Sequence, residues 1–360
     1  MKRILHILDR LDGHGAAGQL GLLAAGLPPG AVEHHACVLG GGGPPGDCPT
    51  VPFTILGRRS AMDPQSWWRL WREMARLRPD LVQAWGPAAN AWGLAAAKTC
   101  GVSRFVCRQG AAPARTVLGH AVDRWIARRS DAVVVPGPAA RDAQIACGLP
   151  AGKIHVIPDG VAPRAAVGTR ADWLARLGLG ERSLLIGLFG PLREAQRVKD
   201  AIWAADLLKV IRDDVHLLVS GDGPHRERLL RFRDQVHIRD KVHFLGQRSD
   251  ALDVLPHLDV FWSASASGES SGGILAAMAS GLPVVATDVP PTRELVVPGE
   301  TGYLVRVGDR AGLARWTQQL LESPDLARRL GEAGRRRALE EFSAGKMARR
   351  YAALYDELLM

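Results

Sequence analysis

Four glycine-rich loops in this 360-residue chain could bring backbone amides close to an anion. Because glycine has no Cβ, a phosphate can approach the N–H groups of such a loop, and a helix that starts there adds its dipole. The loops are Leu11–Gly18, Phe189–Leu192, Ser220–Pro224 and Ser267–Gly273. The last loop runs into the apolar segment 274–280, so its small residues and bare amides suit a diphosphate.

The first loop has the spacing G-x-G-x-x-G at Gly13, Gly15 and Gly18. A dinucleotide site also needs an acidic residue at the end of the following strand. Here Leu39 is followed by glycines and prolines instead. The spacing therefore predicts a close approach to an anion or a substrate rather than a dinucleotide site.

Short apolar runs alternate with helical patterns along nearly the whole chain. In the first half, the predicted strands are Ile4–Leu8, Cys37–Leu39, Leu81–Ala84, Phe105–Cys107, Val133–Val135 and Ile154–Ile157. In the second half, they are Leu184–Leu188, His216–Val219, Val242–Leu245, Val260–Trp262, Val284–Ala286 and Tyr303–Val305. This alternation predicts an α/β fold with two Rossmann-like, doubly wound parallel-sheet domains, and the cleft between them is the default ligand site.

The domain boundaries are predicted from composition and from one amphipathic pattern. A linker rich in Ala, Gly and Arg follows Val161, so we predict an N-terminal domain over 1–165 and a C-terminal domain over 166–340. We expect the segment 341–360 to form a helix that packs back on the body, because five apolar residues share one face. They are Met347, Tyr351, Leu354, Tyr355 and Leu358.

The chain is basic, with 46 Lys and Arg against 37 Asp and Glu, a net charge of +9. Such a balance is compatible with nucleic acid, an anionic membrane surface or phosphorylated ligands. A zinc finger, a helix-turn-helix and an aromatic RNA-binding signature are all missing from the sequence, so we predict no nucleic-acid partner. Five scattered cysteines and histidines without ligand spacing predict reduced thiols and no metal site.

Several motifs, in their order along the chain, resemble those of the family 4 glycosyltransferases. They are Val156–Val161, Ser220–Pro224, Val242–Gly246, Met278–Thr287 and Gly299–Val305. The resemblance implies a GT-B fold, with an acceptor-side N-terminal domain and a nucleotide-sugar-side C-terminal domain. It also implies no cofactor, a UDP- or GDP-linked sugar donor, and a glycan, lipid or small-molecule acceptor. The scattered, reduced cysteines predict a cytoplasmic location. Peripheral contact with an anionic membrane is left open.

The chain departs from the family pattern at the donor contacts. Pro191 and Gln196 stand where the family has an Arg and a Lys for the leaving diphosphate, and Gly268 and Ala276 replace its two glutamates. In the first domain, Gln83–Gly86 lacks the family's acceptor-side histidine. Two interpretations follow: a glycosyltransferase with an atypical donor site, or a non-catalytic relative that serves as a partner or glycan-binding subunit.

The catalytic interpretation assigns roles to particular residues. Glu269 would orient the sugar, and Arg197 or Lys199 would supply charge to the diphosphate. The predicted donor-binding residues are Gly190, Leu192, Gln196, Gly221, Gly246, Ser270, Ser271, Gly272 and Gly273. The predicted acceptor-side residues are Gly13, Gly15, Trp85, Arg108 and His120.

Overall fold

A computed structural model of the chain describes residues 2–11, 15–40, 51–60, 63–110, 117–248, 250–268 and 271–360. The chain divides into two compact units, Met1–Gly160 with Ser343–Met360, and Val161–Phe342. The sequence-based boundaries at 165 and 340 lie close to these divisions. Among the described residues, no helix combines the length and the apolarity needed to cross a bilayer.

The described residues form strands and helices that alternate along the chain. The strands are β1 (Lys2–Leu8), β2 (Val32–Val38), β3 (Phe53–Ile55), β4 (Leu81–Trp85), β5 (Arg104–Arg108), β6 (Ala132–Val135), β7 (Ile154–Val156), β8 (Leu184–Phe189), β9 (Val215–Ser220), β10 (Val242–Gly246), β11 (Val260–Ser263), β12 (Val284–Thr287) and β13 (Gly302–Val305). The helices are α1 (Ala16–Gly26), α2 (Pro64–Leu77), α3 (Pro87–Thr99), α4 (Val117–Arg129), α5 (Pro138–Ala146), α6 (Arg170–Leu177), α7 (Val198–Ile211), α8 (Arg226–Gln235), α9 (Ser271–Ala279), α10 (Pro290–Leu295), α11 (Arg310–Glu322), α12 (Pro324–Glu341) and α13 (Ala344–Leu359).

Each unit is built on one parallel sheet. The strand order is β3-β2-β1-β4-β5-β6-β7 in the first unit and β10-β9-β8-β11-β12-β13 in the second. Every strand pairing in both sheets is parallel, as expected where helices connect successive strands. The predicted fold class, two Rossmann-like doubly wound domains, is confirmed.

The strand prediction differs from the structure at one edge of the first sheet. Strand β2 begins at Val32, five residues before the predicted start at Cys37. The prediction missed its first half because the segment Glu33–His35 is polar and half-buried. Strand β3 was not predicted, since it is a three-residue edge strand whose residues are all exposed. Neither segment carries the continuous apolar run that marks a strand buried on both faces.

The helix α13 packs on the first unit. Tyr351 and Tyr355 are buried among the apolar residues of β1, β4 and α1. A methyl group at Gly26 would lie 2.7 Å from Cβ of Ala348, so α1 and α13 approach closely only because this residue is glycine. The contact explains why the end of the chain belongs to the same unit as its beginning.

In the second unit, the two faces of the sheet are covered by different helices. One hydrophobic cluster joins the strands to α7, α8 and α11. The other joins them to α9 and to residues of α6 and α12. The helix α9 and the pair α7 and α8 therefore lie on opposite faces of this sheet, which separates any site at α9 from one between α7 and α8.

Candidate functional site

At the carboxyl edge of the second sheet, the loops after β8 and β9 lie against each other through their backbones. The backbone N–H of Gly190 donates to the carbonyl of Ser220 at 3.0 Å, and that of Leu192 donates to the carbonyl of Asp222 at 3.0 Å. Gly190 and Gly221 have φ angles of +150° and +137°, which favour glycine. A Cβ on Gly221 would lie 1.9 Å from the carbonyl oxygen of Gly190, so only glycine permits this contact.

The same edge includes the ends of β10 and β11. The N–H of Gly221 donates to the carbonyl of Gly246 at 2.9 Å. The N–H of Ala266, in the loop after β11, donates to the carbonyl of Ala195 at 2.8 Å. Four of the predicted donor-binding residues, Gly190, Leu192, Gly221 and Gly246, thus belong to one backbone network.

The helix α9 begins at this edge. The Ser271 hydroxyl donates to the carbonyl of Gly268 at 2.7 Å, which fixes the start of the helix. A Cβ on Gly273 would come within 3.5 Å of the Phe189 carbonyl, so the first turn of α9 lies beside the end of β8. The first amides of a helix lack intrahelical acceptors, and those of Gly272 and Gly273 can therefore donate to an anion.

The positions where the family has donor-contacting side chains are uncharged in this structure. Gln196 is 2% exposed, and Pro191 has no backbone N–H to offer. Ala276 lies in the second turn of α9 without a polar side chain. Glu269 and Ser270, predicted to contact the sugar and the donor, lie outside the described residues.

The two cations predicted to replace the missing charge have other contacts. Nε of Arg197 lies 2.6 Å from the carboxylate of Asp200, and Nε of Arg310 lies 2.8 Å from its other oxygen. Nζ of Lys199 lies 4.4 Å from the centre of the Phe232 ring, a cation–π distance. The pair of Arg197 with Asp200 is three residues apart and can be suggested by spacing, whereas the contact of Arg310 with the same carboxylate cannot, because Arg310 lies 110 residues further along.

In the first unit, Trp85 and Arg108 belong to a buried polar network at the ends of β4 and β5. The Arg108 guanidinium donates to Asp159 at 2.6 Å and to the Tyr351 hydroxyl at 2.7 Å. Its carbon lies 5.2 Å from the centre of the Trp85 ring. Trp85 is 2% exposed, and its indole N–H donates to Nδ1 of His6 at 3.1 Å. Trp85 therefore supports Arg108 and offers little ring surface to an acceptor.

Burial and charge shift several pKa values in this network. Burial opposes the charge of Arg108, but Tyr351 and Asp159 outweigh it and hold the pKa of the guanidinium above its usual value. Burial raises the pKa of the Tyr351 hydroxyl. Burial, with the neighbouring His34, lowers the pKa of His6 well below its usual value. At neutral pH the network thus has a charged arginine, a neutral tyrosine and a neutral histidine.

Two further predicted acceptor-side residues, Gly15 and His120, lie at α1 and α4. Gly15 precedes α1, and the side chain of Gln19 in that helix makes two hydrogen bonds to the backbone of Gly160. His120 is exposed on α4. Gly13 lies outside the described residues.

Asp9 is a carboxylate that sequence reasoning did not assign to the site. It follows β1, and its Oδ1 accepts the N–H of Ala89 at 2.6 Å in the first turn of α3. A Cβ on Gly86 would lie 2.7 Å from Oδ2, so glycine is needed beside it. Burial raises the pKa of Asp9, although the amides of Ala88 and Ala89 oppose the shift. The signal in the sequence that could have identified Asp9 is its position directly after an apolar strand.

Comparison with known proteins covers both units. The family model described as Glycosyltransferase Family 4 matches residues 14–164, and the one described as Glycosyl transferases group 1 matches residues 169–337. Among the described residues, no cluster of His, Cys, Asp or Glu could hold a metal ion.

Two relatives show similarity over different lengths. N-acetyl-alpha-D-glucosaminyl L-malate synthase of Bacillus anthracis is 32% identical over 183 residues, 51% of this chain but only 48% of that relative. The lipopolysaccharide core biosynthesis glycosyltransferase LpsD of Rhizobium meliloti (strain 1021) is 25% identical over 298 residues, 80% of this chain and 78% of that protein.

A solved structure shares the fold over nearly the whole chain. The crystal structure of Anabaena Alr3699/HepE in complex with UDP and glucose superposes with a TM-score of 0.84 at 18% identity, and the match covers 99% of this chain and 100% of that one. The fold is therefore GT-B, as the resemblance implied. With both halves matched by glycosyltransferase families, the chain belongs to the family 4 glycosyltransferases.

Proposed function

We propose that this glycosyltransferase transfers a sugar from a nucleoside diphosphate sugar to a glycan or lipid-linked acceptor, and that it holds the donor diphosphate on the first turn of α9. The observation that carries the proposal is the edge where Gly190, Gly221 and Gly273 bring three backbone segments together. Among the described residues, the positions where the family has side-chain charges hold Pro191, Gln196, Gly268 and Ala276, so backbone amides and the helix dipole are what this edge offers to a diphosphate.

The absent side-chain charges have a predictable cost. One preorganised charge that stabilises a transition state contributes roughly 10²–10³-fold in rate. Because Arg197 and Arg310 share the carboxylate of Asp200, Arg197 is only partly available to the leaving diphosphate. We therefore expect slow turnover, with amide donors of α9 and Glu269 as the main donor contacts.

The nucleotide and the acceptor are proposed from similar proteins. A structurally similar chain was crystallised with UDP and with UDP-glucose, which favours a UDP-linked donor over a GDP-linked one. The relative LpsD is named as a lipopolysaccharide core biosynthesis glycosyltransferase, which favours a glycan acceptor. The cytoplasmic location and a peripheral contact with an anionic membrane stay predictions from the sequence.

The experiment is a donor panel of UDP-, GDP- and ADP-sugars, in which release of the nucleoside diphosphate is measured with and without glycan acceptors. We expect slow release from at least one UDP-sugar. Absence of both release and binding across the panel would overturn the proposal. Binding without transfer or hydrolysis would instead identify a non-catalytic subunit.

A matched pair of variants locates the diphosphate. Gly272→Asp adds a negative charge to the first turn of α9, where acidic residues favour the helix, so the fold should tolerate it. Gly180→Asp adds the same charge in the same unit, where nothing lies within 4 Å. We expect Gly272→Asp to abolish donor binding through repulsion, and Gly180→Asp to leave it unchanged. Equal binding by both variants would place the diphosphate elsewhere.

A further inference from the structure

A basic groove of about 570 Å³ lies between α7 and α8 in the second unit. Six of its lining side chains are basic and two are acidic, so the formal net charge of the groove is +4. The basic residues are Arg193, Arg197, Lys199, Arg228, Arg231 and Arg310. The acidic residues are Glu194 and Asp200.

Two of the basic residues are already neutralised in part. The Asp200 side chain, 6% exposed, accepts from both Arg197 and Arg310 and fixes their positions. A buried carboxylate that holds two guanidiniums gives the groove a rigid end with one excess positive charge. This arrangement is built from three elements, the loop before α7, α7 itself and the start of α11.

The other four basic residues are available to a ligand. Within the part of the chain that the structure describes, Arg193, Lys199, Arg228 and Arg231 form no ion pair with a carboxylate. All four are exposed. Cations gathered around one groove repel each other, so an anion that enters it relieves that repulsion as well as forming new contacts.

The chemistry of the lining selects the class of anion. Five of the six basic residues are arginines, whose planar guanidinium matches phosphate oxygens with two hydrogen bonds at once. The volume exceeds what one small anion fills, and the charge of +4 suits several negative groups in one ligand. We propose that the groove binds an oligophosphate group, with two or more linked phosphates.

The groove lies beside the edge proposed for the donor, since the N–H of His225 in its lining donates to the carbonyl of Leu192 at 3.0 Å. Its lining comes from the segment 193–200, from α8 with His225, and from Arg310, and it includes no residue of α9. The helix α9 packs on the opposite face of the sheet from α7 and α8. The oligophosphate site therefore does not depend on α9 as the holder of the donor diphosphate, although Arg197, which the proposed function leaves partly available to that diphosphate, also lines the groove.

The test is calorimetric titration of the full-length protein with inorganic tripolyphosphate at constant ionic strength. We expect saturable binding at one site, at least tenfold tighter than that of inorganic phosphate. The Arg228→Ala, Arg231→Ala variant should weaken it at least tenfold. The control variant Arg335→Ala, Arg336→Ala removes two exposed arginines of α12 and should change it less than twofold. Thermal melting checks that both variants fold.

Two further arms identify the location and the source of the ligand. In the Gly272→Asp variant, which should lose donor binding, tripolyphosphate binding should persist because the groove includes no residue of α9. Loss of tripolyphosphate binding in a folded Gly272→Asp protein would place the anion in the donor site and overturn the proposal. Sedimentation with phosphatidylcholine vesicles, with and without a lipid that has a diphosphate headgroup, shows whether the groove also accepts a membrane-borne source. Absence of saturable binding to both tripolyphosphate and the vesicles with the diphosphate lipid would also overturn the proposal. Equal weakening of tripolyphosphate binding in the two arginine variants would do the same.

Discussion

The contact between Gly190 and Gly221 can be tested with one pair of substitutions. Gly221→Ala places a Cβ 1.9 Å from the carbonyl oxygen of Gly190, at a φ of +137°. Gly246→Ala, at the end of the neighbouring strand, has a φ of +73° and no heavy atom within 4 Å of the new Cβ. The first variant therefore combines backbone strain with a clash, and the second has strain alone.

The two costs can be estimated separately. A left-handed conformation costs a non-glycine residue about 1–2 kcal/mol, which is the whole effect expected for Gly246→Ala. In Gly221→Ala, the loops must also separate by more than an ångström, which breaks the hydrogen bonds from Gly190 to Ser220 and from Gly221 to Gly246. At about 0.5–1.5 kcal/mol for each of the two hydrogen bonds, with the strain retained, the expected destabilisation is about 2–5 kcal/mol.

The assay is thermal unfolding of the full-length protein, followed through the transition of the second unit. The two variants differ by the two hydrogen bonds, about 1–3 kcal/mol, and in a unit of this size 1 kcal/mol shifts Tm by about 2–4 °C. Gly221→Ala should therefore melt at least about 2 °C below Gly246→Ala. Gly221→Ala should also weaken nucleotide binding, because its loop packs on Gly190, which follows the strand end beside the first turn of α9. Equal melting temperatures for the two variants would refute the account of the loop packing.

Three further predictions concern separate parts of the chain. Arg108→Met leaves the carboxylate of Asp159 without its cation and should destabilise the first unit by about 3 kcal/mol in thermal melting. An unchanged Tm would show that Arg108 does not stabilise the fold. Burial lowers the pKa of His243 to about 4, so the folded protein binds this proton less readily than the unfolded chain does. Stability should therefore be full above about pH 6.5 and fall as the pH drops towards 4, and His243→Asn should flatten that fall in melts across this range; an unchanged profile would contradict the assignment. Gln196→Lys with Ala276→Glu restores two charged donor contacts and should tighten UDP binding about 10- to 100-fold in calorimetry; unchanged affinity would contradict the proposed donor position.

The fold could be predicted because its strands are buried on both faces. Strands such as Leu81–Trp85 and Val260–Ser263 consist almost entirely of buried residues, so they appear in the sequence as short apolar runs. The edge strand Phe53–Ile55 has no such run, since its residues are exposed and only one neighbour pairs with it. Exposed edge strands are recognised by their pairing rather than by their composition.

The backbone part of the candidate site could also be predicted, whereas its electrostatics could not. Glycines mark loops where chains approach closely, and Gly190 and Gly221 do so. The partners of charged side chains depend on contacts between distant segments. Arg310 reaches Asp200 across 110 residues, and Asp9 reaches Ala89 across 80 residues. Local spacing contains no information on either contact. The pair of Arg197 with Asp200, three residues apart, is the part of this charge balance that spacing could indicate.

The central claim, that backbone amides at the start of α9 hold the donor diphosphate, is tested most directly by amide hydrogen exchange with and without saturating UDP. Bound phosphate oxygens accept from those N–H groups and exclude water, so exchange should slow in the segment 271–275. We predict strong protection there and little change along α8. If UDP binds while 271–275 exchanges as fast as in the free protein, the diphosphate is held elsewhere and the claim is wrong.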